Sequence, residues 1–277
     1  MRGSTGITIG LLTLINRQRD RNFPVYRSTT MQEKTTVDGS LEQSEGGWTF
    51  DEQVAEEFDA HVRKSIPLYE QVQSQVVDLA DWFLQSEGEE KVYDLGCATG
   101  TTIEQLVNRY GTEGPPSFVG IDIQAPMLDR ARERIGDCSN VDFLQADVSS
   151  HMSFPGASMV ISLFTMSFVR EEDRRELVQQ IYDDLEYGGA FVFAEKTRAR
   201  SSQFQDIWNE EYWDFKASQG LSEEEIIGKA KTLRGQLRPL TVAEYEDILT
   251  DAGFDVDRDV DVFFKWFPWT GMVARKR

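Results

Sequence analysis

Val92-Tyr93-Asp94-Leu95-Gly96-Cys97-Ala98-Thr99-Gly100 is the stretch whose reading decides the fold. An apolar run leads to an acid, then to two glycines enclosing small residues. Thr101-Thr102-Ile103-Glu104-Gln105-Leu106-Val107 follows with apolar residues at helical spacing. This is a strand, a tight turn and a helix start. Gly96 and Gly100 let the backbone approach a ligand that a Cβ would hold away, although glycines alone could equally serve to shape a loop. The dinucleotide fingerprint Gly-x-Gly-x-x-Gly sets a pyrophosphate on the helix N-terminus. Here the spacing is Gly-x-x-x-Gly, and Asp94 precedes the turn as a poor neighbour for phosphate. An acid in that place suits a cationic ligand.

Two further apolar runs end in acids. Phe118-Val119-Gly120-Ile121-Asp122-Ile123 places Asp122 22 residues after Gly100. Adenosine-binding α/β folds hold ribose hydroxyls on an acid at the end of the second strand, because a carboxylate accepts two hydrogen bonds. A helix over Pro126–Ile135 separates this run from Val141-Asp142-Phe143-Leu144-Gln145-Ala146-Asp147-Val148. Asp94, Asp122 and Asp147 thus close three successive strands, which favours a cofactor site over three unrelated loop residues.

Beyond these runs the pattern continues. Helices are expected at 52–58 and 68–83, strands at 91–95, 117–122, 141–145, 158–164 and 190–195, and helices between the strands at 101–110, 125–135 and 171–186. Gly188-Gly189 is expected to turn the last of these helices into its strand. Strands alternating with helices imply parallel pairing with right-handed crossovers. Residues 198–237 break the rhythm with a charged, aromatic-bearing helical insertion. A helix over Val242–Ala252 and a hairpin of Val260–Trp266 with Trp269–Ala274 complete the chain. The expected fold is α/β: a doubly wound, mostly parallel seven-stranded sheet, Rossmann-like, with a C-terminal antiparallel hairpin. In the insertion, Trp208, Tyr212 and Trp213 lie at helical spacing beside Phe204 and Phe215, as core between helices or as a cover over substrate.

The 277 residues carry a formal charge of −19, which disfavours direct contact with nucleic acid. Only nine of the 29 basic side chains are lysine, a balance that suits either a salt-adapted surface or an ordinary acidic cytoplasmic enzyme. Two cysteines imply no disulfide framework; Cys97 reads as a small packing residue in the turn. His61 and His151 neighbour no ligand cluster, so no metal is expected, and no apolar run approaches a membrane span. Residues 1–30 hold five arginines against one acid, and Ile7–Ile15 would make only a poorly formed secretory signal. Residues 1–47 are expected to be a disordered leader, with 48–277 forming the cofactor-binding domain.

The glycine turn resembles that of class I S-adenosylmethionine-dependent methyltransferases. In that pattern the loop faces the amino-acid part of the cofactor, and the third acid lies beside the adenine amine. A closer resemblance spans residues 47–275. Trp48-Thr49-Phe50-Asp51-Glu52-Gln53-Val54-Ala55-Glu56-Glu57-Phe58, Arg63-Lys64-Ser65-Ile66-Pro67-Leu68-Tyr69, Tyr93-Asp94-Leu95-Gly96-Cys97, Glu195-Lys196, Asp214-Phe215-Lys216 and Ala252-Gly253-Phe254 resemble the carboxy-S-adenosyl-L-methionine synthase family. The resemblance implies homodimers that make the carboxylated cofactor from S-adenosylmethionine and prephenate. A partner enzyme then uses it to modify the tRNA wobble uridine. Tyr69, Gly96, Asp122 and Asp147 match cofactor-contacting positions, and Asp94, Cys97, Ala98, Gly100, Ile123 and Val148 complete the expected cofactor set. Two positions depart from the family. Its carboxylate-gripping arginine falls on Ala230, and its asparagine after the fourth strand falls on Leu163. Lys229, Lys231 or Arg234 could substitute for the arginine, without its bidentate fork in the lysine cases.

Three functions are therefore compatible with the sequence. The first is methyl transfer from S-adenosylmethionine to a small acceptor, and it is favoured by the loss of the arginine. The second is carboxylated-cofactor synthesis; the third is cofactor binding without catalysis. No catalytic residue is assigned. Glu195 and Tyr212 are candidate substrate contacts, Glu195 either as a base or as a structural ion-pair member.

Overall fold

The computed structural model describes residues 52–84 and 88–277; the expected leader and the first part of the entrance segment lie outside them. The described part opens with α1 (Glu52–Ser65) and α2 (Tyr69–Phe83). α1 continues past its expected end at Phe58. Ala55, Phe58, Val62 and Ile66 keep helical spacing, and Ala55, Val62 and Ile66 are buried by it. Pro67 then closes the helix.

The alternation follows as expected: β1 (Lys91–Leu95), α3 (Thr101–Tyr110), β2 (Ser117–Asp122), α4 (Ala125–Ile135), β3 (Val141–Gln145), β4 (Ala157–Leu163), a 3-10 turn at Met166–Phe168, α5 (Glu171–Asp184) and β5 (Leu185–Lys196). The insertion forms α6 (Ser202–Ser218) and α7 (Glu223–Thr232), and the chain ends with α8 (Val242–Ala252), β6 (Val260–Trp266) and β7 (Trp269–Arg275). α7 and α8 each begin with a reciprocal capping box, Ser222 with Glu225 and Thr241 with Glu244. α8 stops at Gly253, where φ is +113° and an added Cβ would lie 2.8 Å from the Tyr182 ring.

The strands form one sheet in the order β3-β2-β1-β4-β5-β7-β6. β1 pairs in parallel with both β2 and β4, so the chain winds outward from β1 in both directions. The strand order reverses between β1 and β4, and such folds bind ligands in the crevice outside the carboxyl ends of the strands at that point. β7 is antiparallel to β5 and β6.

One expectation is corrected here. Gly188-Gly189 does not make a separate turn, because α5 passes directly into β5 at Leu185. The pairing of β5 with β4 shifts between Ala157 and Met159, and Gly188, with φ +88°, lies in that irregularity. The glycines thus absorb a bulge inside a longer strand.

Side-chain alternation divides the sheet into two packed faces. Val92, Phe118, Met159, Ile161 and Val192 pack with α2, α3 and α4. Tyr93, Leu95, Val160, Phe191 and Phe193 pack with α5 and α8. A third cluster joins Val62 of α1 and Ile66 just after it to Ala194, Tyr212, Phe264 and Trp269, and so docks the insertion on the sheet. Burying each large apolar side chain contributes ~1.5–3 kcal/mol. Among the described residues, no helix is long and apolar enough to cross a membrane.

Candidate active site

The glycine turn is held by its own backbone. Gly96 and Cys97 donate their N–H groups to the Ile121 carbonyl at 2.7 and 3.0 Å, which ties the turn to the neighbouring β2. Gly96 has φ +72°, and an added Cβ would lie 2.1 Å from Thr165 Oγ1. The turn and the loop after β4 are therefore in direct contact, and only glycine fits. Ala98 takes φ +47° without being glycine, and conformations of this kind cluster at ligand sites. Its N–H donates to Asp122 Oδ2 at 3.0 Å, while Asp122 Oδ1 accepts from Gln124 N–H at 2.9 Å. Asp122 thus shapes the turn as well as facing the crevice. Burial raises its pKa, against the lowering effect of those backbone bonds.

Asp94 differs from every other acid in the site. It is buried, and its Oδ2 has no hydrogen-bond partner. Burial, with a further push from the Asp122 charge, raises its pKa to about 7. A buried unpaired carboxylate oxygen costs several kcal/mol unless a cation meets it. The cationic amino-acid end of S-adenosylmethionine fits this arrangement, as a phosphate would not. Cys97 beside it is buried, and burial together with the charges of Asp94 and Asp122 pushes its thiol well up, so it stays protonated. It packs rather than reacts.

The other expected positions divide between buried and exposed. Tyr69 opens α2, and burial pushes its pKa up to about 12 against the lowering hydrogen bond with Thr101. Its ring lies 5.7 Å from Phe164, the residue that follows β4. Ile123 is 52% exposed just past Asp122, an apolar wall at a strand end, while Val148 is buried. Asp147 lies two residues beyond the end of β3 and is exposed; its Oδ1 accepts from Ser149 N–H and Oγ at 2.9 and 2.7 Å. Gly100 packs against Ala131 of α4.

Glu195 does not face the crevice. It shares the α5/α8 face of the sheet with Phe191 and Phe193. Its oxygens accept Met166 N–H at 2.6 Å, Ser167 N–H at 3.1 Å and Ser167 Oγ at 2.5 Å. Burial raises it to about 7, with Ser167, Met166 and the charge of the fully buried Arg174 opposing. These contacts make it a hydrogen-bonded anchor of the 3-10 turn, with no ion pair of the kind expected among the described residues. Arg174 in turn donates to the Val169 and Ser167 carbonyls at 2.9 and 3.1 Å.

The insertion aromatics divide. Tyr212 is buried, and its hydroxyl donates to the Ser65 carbonyl at 2.8 Å, whereas Trp213 and Phe204 are exposed. Phe215 stacks edge-on against Trp266. Ala230, Lys231 and Arg234 are exposed at the end of α7, and Leu163 closes β4 half-buried. Lys229 has an interaction partner.

Sequence reasoning missed the brace over the turn. Asp59 of α1 accepts from Thr99 Oγ1 at 2.6 Å and pairs with Arg134, which also donates to the Thr99 carbonyl at 2.9 Å. Gln73 of α2 donates to Thr101 Oγ1 at 2.6 Å. These contacts cross from the entrance helices to the turn over distances no local pattern reveals. Removing the Asp122 carboxylate by Asp122→Ala should weaken S-adenosylmethionine binding by about 1–3 kcal/mol. Calorimetry that finds unchanged affinity would remove Asp122 from the site.

Comparison with known proteins agrees with this geometry. A family model described as "Methyltransferase domain" matches residues 92–189. The chain is 34% identical over 230 residues to the carboxy-S-adenosyl-L-methionine synthase of Staphylococcus epidermidis, covering 83% of this chain and 97% of that protein. It is 36% identical to the synthase of Methylococcus capsulatus, covering 82% and 93%. Among solved structures, a putative O-methyltransferase from Nostoc punctiforme aligns with a TM-score of 0.56 at 15% identity, over 81% of this chain and 60% of that one. This last likeness concerns the fold alone. The cofactor is S-adenosylmethionine and the protein is a group-transferring enzyme. On the strength of this match over nearly the whole length of those synthases, the chain belongs to the carboxy-S-adenosyl-L-methionine synthase family, built on the class I methyltransferase fold.

Proposed function

We propose that this enzyme makes the carboxylated form of S-adenosylmethionine. The observation that carries the proposal is the extent of the likeness. Relatives of that name are matched over 93–97% of their length, through the helical insertion as well as the cofactor half. Methyl transfer to a small acceptor, which the sequence alone favoured, remains the second reading because Ala230 stands where the family's arginine is expected. Intact acids at three strand ends weigh against a non-catalytic protein.

When bound, S-adenosylmethionine would supply a methyl group acidified by its sulfonium, able to give up a proton and take up a carboxyl group, and leave the protein to bind and orient. Asp94 would hold the cofactor's ammonium, Gly96 would let its amino-acid part approach, and Asp122 would accept the ribose hydroxyls. Ile123 and Val148 would flank the adenine, with Asp147 beside its amine. The same reading implies prephenate as the carboxyl source and a cytoplasmic setting. A separate partner enzyme would carry the group to tRNA, so this acidic chain need not touch RNA. A homodimer is supported by the apolar residues Ile207, Trp213 and Ile227, which the insertion leaves exposed. Incubating the protein with S-adenosylmethionine, with and without prephenate, tests the reading. A carboxylated product that depends on prephenate is expected, and methyl transfer without it would favour the second reading.

A further inference from the structure

Lys196 and Lys216 are the cations that the assigned site leaves unused. Lys196 is the last residue of β5, and Lys216 lies in the last turn of α6. They are twenty positions apart, yet both meet at one ring. The Lys216 ammonium lies 4.4 Å and the Lys196 ammonium 5.0 Å from the Tyr212 centroid. Lys216 is only 6% exposed and Lys196 is half-buried. Among the described residues, neither makes a hydrogen bond or an ion pair with a carboxylate.

Magnitudes make this arrangement unusual for a purely structural one. Two buried like charges repel, and each has lost hydration. Burial lowers both, and Lys216, lowered further by the Lys196 charge, falls to about 8. The cation–π contact with Tyr212 offsets part of the cost but supplies no counter-charge. Lys265 nearby differs in its partners: it donates to Thr197 and Thr270 hydroxyls at 3.2 and 2.7 Å and sits over Trp208, although burial pushes it down to about 8 as well.

Their place in the fold is next to the cofactor crevice. Lys196 ends β5 at the same edge of the parallel sheet as the glycine turn. Phe164 N–H donates to the Ala194 carbonyl at 2.7 Å. The Phe164 ring lies 5.7 Å from Tyr69 and 5.3 Å from Trp269, and Trp269 lies 5.7 Å from Tyr212. An aromatic wall thus runs from the cofactor side to the two ammoniums.

We propose that Lys196 and Lys216, backed by Tyr212, form a carboxylate-binding pocket beside the cofactor site, in a chain that has Ala230 where the family's arginine is expected. Two point charges on separate elements can meet the two oxygens of one carboxylate, which compensates for the lack of a guanidinium fork. This rests on the enzyme handling a carboxylate, and it names the side chains of this chain that do so. The carboxylate could belong to an incoming small acid or to the carboxylated cofactor.

Calorimetry separates these sources. Protein saturated with S-adenosylhomocysteine is titrated with prephenate and with malonate; unliganded protein is titrated with S-adenosylmethionine and with its carboxylated form. The set is repeated for Lys196→Met, Lys216→Met, Lys216→Arg, Lys231→Ala and Arg234→Ala. Both Lys→Met variants should bind free carboxylates, or the carboxylated cofactor, about tenfold or more weakly, with S-adenosylmethionine affinity kept. Lys216→Arg should retain most of the binding. Which arm fails identifies the source. Lys216→Met should also raise the melting temperature of the ligand-free protein by about 2–4 °C, since it removes an uncompensated buried charge; a lysine kept for structure would do the opposite. The proposal is overturned if the wild type binds none of the carboxylates, if both Lys→Met variants bind them normally, or if only Lys231→Ala or Arg234→Ala loses them. Loss of carboxylate binding in the lysine variants of an enzyme that yields only methylated product would support the pocket and count against the synthase reading alone.

Discussion

Asp94→Asn is expected to abolish S-adenosylmethionine binding and, at pH 8, to make the ligand-free protein more stable. The two effects share a cause. Asp94 is buried with one unpaired oxygen, and its pKa stands near 7 instead of 3.8. An acid whose folded pKa is raised holds its proton more tightly in the folded state than in the unfolded one. The cost of ionising it is absent below about pH 4, grows as the pH rises, and is complete above about pH 7. At about 1.4 kcal/mol per pH unit this amounts to a few kcal/mol. Asparagine escapes that cost but presents its own buried amide, so a net gain of about 1–3 kcal/mol is expected. The melting-temperature difference between the two proteins should therefore shrink towards pH 4.

For binding, the sign reverses. The cationic cofactor needs ionised Asp94, so affinity in the wild type should fall about tenfold per pH unit below 7. Removing the charge opposite a buried ammonium costs about 3–5 kcal/mol, enough to lose binding at ordinary ligand concentrations. Calorimetry at several pH values and thermal melts check both halves. An affinity that is flat between pH 5 and 7 would show that Asp94 does not meet the cofactor's charge.

Glu195→Ala should cost about 3–5 kcal/mol of folding stability, because it leaves Arg174 buried without its counter-charge and three donors without an acceptor. That is a large part of what a domain of this size has to lose. Denaturant unfolding of the ligand-free protein measures it. Glu195→Gln should lose less, about 1–3 kcal/mol, since one oxygen still accepts while the amide opposes the remaining donors. Were Glu195 a base facing the substrate, either variant would fold normally and fail only in turnover.

These two acids show what could and could not be read in advance. Each lies in an apolar run that reads as a strand, and β1, β2, β3, α3 and α4 follow their expected bounds. The chemistry depends on which way the side chains point. Asp94, before the glycine turn, was recognisable as a cation site from its neighbours. Glu195 reads equally well as base or anchor until β5 is paired, when the alternation of Phe191 and Phe193 sends it to the α5/α8 face. Its starting point was also hidden, because the bulge at Gly188 lets β5 begin at Leu185, where a helix-to-strand turn was expected.

The lysine pair was less legible still. Lys196 and Lys216 form no local pattern and come together only when α6 folds back over the end of β5. The brace of Asp59, Thr99 and Arg134 is hidden for the same reason: its members come from α1, the turn and α4. Strand ends are written locally, whereas convergent charges are products of tertiary structure.

Carboxylated-cofactor synthesis is tested most directly by mass spectrometry of the reaction of the protein with S-adenosylmethionine and carboxyl-labelled prephenate. Carboxylated S-adenosylmethionine bearing the label, formed only when prephenate is present, is the expected result. Absence of that product from a protein that binds S-adenosylmethionine, with its methyl group passing to another acceptor, would contradict it.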